Sequence, residues 1–512
     1  MNRTKRFLSG VSFAYTYQFL ATLVGLWLTP FLLHQVGQHD YGLWLVGTQL
    51  LFYLGLLDLG VVALLPRETA FAVGRAGGIR EATDLPVLVG QTVNIILCQM
   101  PLVILAAVIA WFLIPSEWQG LRQPICLVLL VFVLMFPLRI YGAVLYGLQD
   151  FTFLGKAGLA AYLTSTTVTI ALVYSGAGLY ALAAGWAVLQ LFGASASWLR
   201  LRTHFPGVLP DTLPGFDWLA ARRRLNQSFW VSVSQVTQVL LNGTDLLIIG
   251  KLLGPLAVVP YACTGKLLGV LANQPQLLMQ AAGPALCELR TSAGRRPLFS
   301  VCTALSQAVL IASGAVFCVV LSVNHGFVGW WVGSDQYGGS TLTLLLLLNM
   351  MLRHWNTTVG YTIFCFGYER RLAVSGLLDG VATVSAALLM AWIFGPAGAP
   401  IGSIIGVCLV GLPVNLSALA RESGVSRFRL VLPLWPWFGR FLVLGVAVSA
   451  LTKISVPNNF PALAATGTGV ALVYMAVMLP VALQSPLGVY VRPRLLLVKA
   501  RFSKALGLGS PA

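Results

Sequence analysis

The chain has 512 residues, of which 58% are hydrophobic and 9% are charged, and its formal net charge is +17. A soluble globular protein is about 25% charged, so this composition excludes a soluble fold. Apolar stretches of about 18 residues or more recur along the chain, and each is long enough to cross the roughly 30 Å of hydrocarbon in a bilayer. The sequence therefore predicts an all-α, polytopic membrane protein.

Hydropathy places about fourteen transmembrane helices in chain order. The first is expected to be a retained span and not a cleaved signal, because it continues past Pro30 without a small-residue cleavage site. The predicted spans are 8–33, 41–64, 86–114, 121–146, 157–175, 179–199, 227–250, 255–283, 298–323, 339–365, 372–394, 397–420, 433–454 and 462–483.

The basic residues lie mostly on one side of these spans. An even number of spans puts both termini on one side, and 26 of the 32 Lys and Arg residues lie there. The opposite loops carry only Arg122, Lys251 and Lys453. The positive-inside rule therefore predicts cytoplasmic N- and C-termini. The positive charge indicates topology and contact with anionic phospholipids, and does not indicate nucleic-acid binding.

The sequence lacks catalytic and metal-binding patterns. The eight cysteines lie singly in or beside spans, with no CxxC pair, and the five histidines form no HExxH cluster. The longest hydrophilic stretch, about 200–226, is too short for a separate soluble domain. We therefore expect no enzymatic activity and no cofactor.

Weak internal repeats divide the chain into two halves. Asp150 corresponds to Glu369, and Gly176 to Gly395, both at an offset of 219 residues. Six spans in each half give both halves the same orientation, with a pseudo-symmetry axis along the membrane normal. The prediction is a six-helix bundle at 1–205, a basic cytoplasmic connector at 206–226, a second six-helix bundle at 227–425, and two extra helices with a basic tail at 426–512.

Three of the predicted spans carry a polar stripe at helical spacing. Lipid cannot satisfy these groups, so they face other helices or a water-filled cavity. Four to six polar residues on one helix are more than a helix–helix seam needs, which favours a cavity. The stripes are Ser228, Ser232, Gln235, Gln238, Asn242 and Asp245 in span 7; Lys266, Asn273, Gln276 and Gln280 in span 8; and Ser12, Tyr15, Gln18, Thr22 and Thr29 in span 1.

Cations within the spans are the next candidates for a site. Lys266 and Arg353, the latter followed by His354, fall near mid-membrane at 1.5 Å per residue. Arg139 lies in the cytoplasmic third of span 4. A buried cation costs about 2.5–3.5 kcal/mol on insertion scales, so each needs an anionic partner. Two interpretations stay open: a bound phosphate or pyrophosphate, or internal pairing with Asp379 or Asp245.

Asp58 lies about 9 Å from the cytoplasmic end of span 2, at a depth similar to that of Arg139. We hypothesise that the two form an ion pair or gate at the cytoplasmic mouth. The alternative is that Asp58 caps a helix break before Gly60. The other candidates for gating or ion coupling are Asp245, Asp379, the charged end of span 2 (Arg67, Glu68) and the corresponding end of span 8 (Glu288, Arg290).

Two stretches resemble a known family. They are "TPFLLHQVGQHDYGLWLVGTQLLFYLGLLDLGVVALLPRE" and "LYGLQDFTFLGKAGL". With the six-plus-six-plus-two layout, they resemble the O-antigen type polysaccharide flippases of the multidrug/oligosaccharidyl-lipid/polysaccharide (MOP) exporter superfamily. The resemblance covers the whole chain.

The resemblance implies alternating-access movement of an undecaprenyl-diphosphate-linked oligosaccharide, a polysaccharide or lipopolysaccharide repeat unit, from the cytoplasmic to the outer leaflet. It also implies a monomer in the bacterial inner membrane, polysaccharide polymerase or assembly proteins as partners, and a central cavity lined by spans 1, 2, 7 and 8. Coupling to a proton or sodium gradient stays open, as does a lipid-linked peptidoglycan precursor as substrate.

Two other functions compete with this one. A multidrug exporter of the same superfamily would carry carboxylates at its cavity centre, where this chain has Lys266 and Arg353. A membrane glycosyltransferase or polymerase would need a large outer loop with catalytic groups. The longest outer loop predicted here, about 324–338, is short.

Overall fold

The computed structural model describes residues 3–279, 282, 286, 295–454 and 456–493, with side chains described over 16–279, 282, 286, 299–454 and 456–493. Regular elements in this part of the chain are helical, and the predicted fold class is confirmed. Ten helices are long and apolar enough to cross a membrane, or up to twelve if each bent pair is one span. The predicted number of fourteen is compatible with this structure.

Contacts within the chain divide it into two units, Met1–Val259 and Pro260–Ala512. This division lies later in the chain than the predicted connector at 206–226. Helices that the sequence assigned to the second bundle are held in the first unit by side-chain contacts. The hydroxyl of Tyr53 lies 2.7 Å from that of Thr244, and the Gln38 amide donates to the carbonyl of Leu256 at 3.0 Å.

The first unit contains ten helices and the beginning of an eleventh among its described residues, with two 3-10 turns at Leu56–Asp58 and Ser116–Trp118. The helices are α1 Arg3–Val36, α2 Gln38–Gly55, α3 Val61–Ala76, α4 Leu85–Phe112, α5 Gln119–Met135, α6 Arg139–Gly147, α7 Phe151–Tyr174, α8 Leu179–His204, α9 Trp218–Asn242, α10 Asp245–Leu253 and α11 Pro255–Leu271.

The second unit continues α11 and has short turns at Ser334–Gln336, Gly395–Ala397, Val407–Gly411 and Leu432–Leu434. Its further helices are α12 Arg295–Val332, α13 Ser340–Cys365, α14 Glu369–Phe394, α15 Gly398–Gly406, α16 Leu412–Ser423, α17 Arg427–Val431, α18 Trp435–Ile454 and α19 Phe460–Ala482.

The two C-terminal helices share a hydrophobic core with α12 and α13. Trp437 and Phe441 of α18 and Tyr474 of α19 pack against Phe317 of α12, and all four are buried. The Trp437 indole N–H donates to the Tyr474 hydroxyl at 3.3 Å, which satisfies polar groups that burial would otherwise leave unpaired. The extra helices are therefore built into the second unit.

A row of glycines lets α14 and α15 approach closely. A Cβ at Gly398 would overlap the backbone of Met390 and Ala391, and one at Gly402 would overlap Ala387. This is the close approach that the GxxxGxxxG spacing of Gly398, Gly402 and Gly406 predicts. The packing brings Ser403 of α15 beside α13 and α14, where it takes part in the polar cluster described below.

The G398A variant should lower the thermal stability of the purified protein. The added methyl group must push apart two backbones, and overpacking of this kind costs about 1–3 kcal/mol. G439A is the matched control, because a Cβ at Gly439 of α18 meets nothing within 4 Å. There alanine should be neutral or slightly stabilising. Equal melting temperatures for the two variants would contradict the packing described here.

Candidate functional site

The first unit contains a cavity of about 680 Å³ bounded by α2, α5, α6, α8 and α9. Its lining mixes one charged group, Arg139, with amide, hydroxyl and aromatic side chains. No carboxylate is among the lining residues. They are Thr48, Leu51, Phe52, Gly55, Leu56, Phe132, Met135, Arg139, Trp186, Gln190, Val231, Ser234, Gln235, Gln238 and Val239.

Arg139 reaches the cavity because α5 ends at Met135 and α6 begins at Arg139. Its guanidinium lies 3.5 Å from the carboxylate of Asp58 and 5.6 Å from the ring centre of Phe136. The predicted ion pair of Asp58 with Arg139 is therefore present. The two partners differ in exposure: the Arg139 side chain is 38% exposed and that of Asp58 is 1% exposed. The cavity consequently presents the cation and hides the carboxylate.

Asp58 also caps the break between α2 and α3. Leu59 and Gly60 have φ of 49° and 72°, a left-handed conformation that glycine adopts easily. The second oxygen of the Asp58 carboxylate accepts from the Gly60 N–H at 2.9 Å. The two helices meet at a bend of 54°. Asp58 therefore fulfils both of the roles that the sequence left open, the ion pair and the cap.

The polar stripe on α9 divides into two parts. A Cβ at Gly60 would lie 2.9 Å from the Ser228 carbonyl and from the Ser232 hydroxyl, so this end of the stripe packs on the helix break. Gln235 and Gln238 line the cavity instead. The side-chain oxygen of Gln235 is buried and has no hydrogen-bond partner among the described residues. Buried polar atoms are nearly always hydrogen-bonded, so this oxygen is an exception beside the cavity.

The stripe ends at a second bend. The Asn242 amide donates to the side-chain oxygen of Gln238 at 3.0 Å, which orients the Gln238 side chain. Asp245 lies in the first turn of α10, beyond a bend of 46° between α9 and α10. A carboxylate at a helix N-terminus is stabilised by the helix dipole. Asp245 does not line the cavity.

Glu68, a candidate for gating, anchors α9 to α3 and α4. Its carboxylate lies 3.5 Å from the guanidinium of Arg224, which also donates to the Leu88 carbonyl at 3.2 Å and to the hydroxyl of Thr92. The neighbouring Arg67 is exposed and lies over the ring of Phe71, 5.3 Å from its centre. Glu68 therefore has a structural partner at this end of the unit.

In the second unit, Arg353 is held by an internal polar cluster. Its guanidinium lies 2.6 Å from the carboxylate of Asp379, which is 2% exposed. It also donates to the Thr383 hydroxyl at 2.7 Å and to the carbonyl and hydroxyl of Ser403 at 3.0 Å. This is the internal pairing predicted as the alternative to a substrate role. We therefore leave Arg353 and Asp379 out of the candidate site.

The remaining predicted residues of the second unit are dispersed. His354 is 4% exposed, and its ring nitrogen lies 2.8 Å from the Ser313 hydroxyl, so it belongs to the core. Lys266 of α11 is half-buried, with no carboxylate within 4 Å among residues the structure describes.

The remaining predicted amides differ in exposure. Asn273 is exposed and Gln276 is half-buried. In the first unit, Gln18 of α1 is exposed. Gln280, Glu288 and Arg290 lie outside the described residues.

The sequence did not indicate two side chains of the cavity, Trp186 and Gln190 of α8. Gln190 is a lone amide in the apolar run "WAVLQLFG". A single polar residue is weak evidence for a cavity, whereas several polar residues at helical spacing would have been strong evidence. Trp186 gives no signal in an apolar span. Only the packing of α8 beside α2, α5 and α6 shows that both face a cavity.

Comparison with solved structures supports the fold over most of the chain. The structure is similar to that of the lipid II flippase MurJ in an inward closed conformation, with a TM-score of 0.62 and 12% identity over 93% of this chain and 100% of that one. It is also similar to an inward-facing multidrug resistance MATE family transporter of the MOP superfamily, with a TM-score of 0.55 and 15% identity over 80% of this chain and 94% of that one.

The sequence itself matches one family description. Residues 87–323 match the family model of a polysaccharide biosynthesis protein. No protein of curated function gives a significant match to the chain. The chain therefore has the fold of these transporters, and residues 87–323 match the model of a polysaccharide biosynthesis protein, both in agreement with the resemblance predicted from the sequence.

Proposed function

We propose that the protein is a flippase that moves an undecaprenyl-diphosphate-linked oligosaccharide, a repeat unit of polysaccharide or O-antigen, from the cytoplasmic to the outer leaflet by alternating access. The observation that carries the proposal is the cavity around Arg139. It offers one exposed cation and several amides, and the carboxylate that neutralises the cation is buried behind it.

The charge of this cavity suits a diphosphate. An arginine guanidinium can donate two parallel hydrogen bonds to a phosphate group, and such charge-assisted bonds are about twice as strong as neutral ones. Asp58 keeps Arg139 neutralised while the cavity holds no ligand. A diphosphate approaching from the open side would compete with Asp58 for the guanidinium, because Arg139 is the more exposed partner of the pair.

The rest of the lining suits a sugar. Gln190, Gln235 and Gln238 supply amide donors and acceptors, and Trp186 supplies a flat apolar face. Ligand sites commonly combine apolar walls with a few oriented polar groups of this kind. The unpartnered oxygen of Gln235 is buried, and rotation of the side chain toward the cavity would let it accept from a sugar hydroxyl. The lipid tail would stay in the bilayer, outside the cavity.

The same lining argues against a cationic drug as substrate. A cation would meet Arg139 on the cavity surface and would find no carboxylate among the lining residues. Asp58 is 1% exposed, so it could pair with a drug only after leaving Arg139. Like charges at close range disfavour binding.

The Q235L variant should weaken transport of the lipid-linked oligosaccharide about three- to tenfold. One net hydrogen bond is worth about 0.5–1.5 kcal/mol. Because the lost oxygen has no protein partner, the stability of the variant should be unchanged or slightly raised. Q99L is the control, since Gln99 of α4 is also buried and unpartnered but does not line the cavity. Transport lost equally in both variants would remove the role of Gln235.

The proposal is tested in cells with a leaflet-resolved assay of undecaprenyl-linked glycan. In the absence of the protein, finished lipid-linked oligosaccharide should accumulate on the cytoplasmic face of the membrane. Normal appearance of the glycan in the outer leaflet would contradict flipping of that substrate. Export of another amphiphile or of a drug would then be the function to test.

A further inference from the structure

A second cavity of about 680 Å³ lies where α7 begins and α8 ends, away from the residues that line the first. Both helices are apolar enough to span a membrane, so this end of the pair lies at the membrane boundary. The cavity is lined by the basic side chains of Lys156, Arg200 and His204, by Asp150, and by the rings of Phe153 and Phe205.

Arg200 lines this cavity and is oriented by a carboxylate and two aromatic rings. Its Nε donates to the carboxylate of Asp150 at 2.9 Å. The guanidinium lies 4.9 Å from the ring centre of Phe153 and 5.9 Å from that of Phe205, so it is flanked by two aromatic rings. Asp150 occupies the Nε edge of the guanidinium, and among the described side chains the terminal nitrogens have no hydrogen-bond acceptor, so they can bind another one. A fixed guanidinium fork matches the geometry of a phosphate oxygen pair.

The surroundings indicate a ligand at a membrane surface. Lys156 is exposed on the first turns of α7 and adds a second cation to the same cavity. Two residues to either side of Arg200 on the same helix, the guanidinium of Arg202 lies 4.8 Å from the ring centre of Trp198. Aromatic and basic side chains concentrate at the level of lipid headgroups. Basic pockets between transmembrane helices are a known type of site for anionic headgroups.

We propose that this cavity binds the phosphate of an anionic phospholipid headgroup in the leaflet that borders the start of α7. Arg200 holds the phosphate oxygens with its terminal nitrogens, and Lys156 supplies a second positive charge. Asp150 orients Arg200 and competes with the phosphate for it. The site is separate from the cavity around Arg139, so it does not depend on the flippase proposal.

The test measures lipid retained by the purified full-length protein, by native mass spectrometry with phosphatidylglycerol or phosphatidylcholine added in detergent. The wild type should retain phosphatidylglycerol in preference to phosphatidylcholine, whose quaternary ammonium group cancels the phosphate charge. K156Q should lower this retention about fivefold, the effect of one basic group near a membrane surface. D150N should raise retention, because asparagine still accepts from Arg200 but carries no charge.

R222Q is the matched control, since Arg222 is an exposed arginine of the same unit outside this cavity. It should retain phosphatidylglycerol as the wild type does. Equal retention by the wild type, K156Q and D150N would overturn the proposal, as would equal retention of the two lipids. Displacement of phosphatidylglycerol by excess inorganic phosphate would assign the site to a soluble phosphate instead. None of these outcomes changes with the result of a flipping assay.

Discussion

Replacing Arg139 with glutamine should lower transport of a lipid-linked oligosaccharide at least tenfold. Arg139 is the charged group on the cavity surface, and a hydrogen bond to a charged group is worth about 1.5–3 kcal/mol. R139K should retain part of the activity, because lysine keeps the charge but loses the paired geometry of the guanidinium. Initial transport rates for the wild type, R139K and R139Q measure this order directly.

Loss of Arg139 should also leave Asp58 buried without its counter-charge. Because Arg139 is 38% exposed, solvent already screens part of the ion pair, and a cost of about 1–3 kcal/mol is expected, below that of a fully buried pair. The double variant D58N/R139Q removes the unpaired carboxylate and should recover thermal stability without recovering transport. Recovery of both would show that Arg139 acts only as the partner of Asp58.

Replacing Arg353 with glutamine should lower thermal stability more than it lowers the transport rate of the folded protein. The variant leaves Asp379 2% exposed and without the guanidinium that pairs with it. Breaking a buried pair by removing one partner costs about 3–5 kcal/mol, so the melting temperature should fall steeply. R353Q/D379N removes both charges and should recover most of the stability, and the transport rate of folded protein with it.

Comparing the R139Q and R353Q variants distinguishes a cation that binds substrate from a cation that stabilises the fold. If R353Q unfolded at the wild-type temperature and yet lost transport, Arg353 would be a substrate ligand in spite of its internal partners. H354Q offers a neutral comparison on the same helix. His354 is also buried, and its hydrogen bond goes to the Ser313 hydroxyl and not to a charged group.

Hydropathy predicted the helices well because the bilayer imposes their length and composition. Span 10, predicted at 339–365, is the helix Ser340–Cys365, and span 14, predicted at 462–483, is Phe460–Ala482. The breaks within spans were harder to predict. The break between α5 and α6 lies inside span 4, predicted at 121–146, and the break at Gly243 between α9 and α10 lies inside span 7, predicted at 227–250.

Pairing across the chain was the least predictable feature. Asp58 and Arg139 were matched because both lie at a similar depth on helices of one half, and depth can be counted from sequence. Arg224 was placed in the basic cytoplasmic connector at 206–226, and in the structure its side chain is largely buried and lies beside Glu68. Periodicity shows which residues share a helix face, but the neighbour of that face depends on packing between distant segments.

We propose that the protein moves a lipid-linked oligosaccharide across the membrane by binding it in the cavity around Arg139. The most direct test places the purified protein in vesicles with undecaprenyl-diphosphate-linked oligosaccharide and treats them with a membrane-impermeant glycan-modifying enzyme. With the wild type, modification should pass beyond the fraction initially in the outer leaflet, and with R139Q it should stop near the value of protein-free vesicles. Wild-type vesicles that stop at the protein-free value, or R139Q vesicles that match the wild type, would contradict the claim.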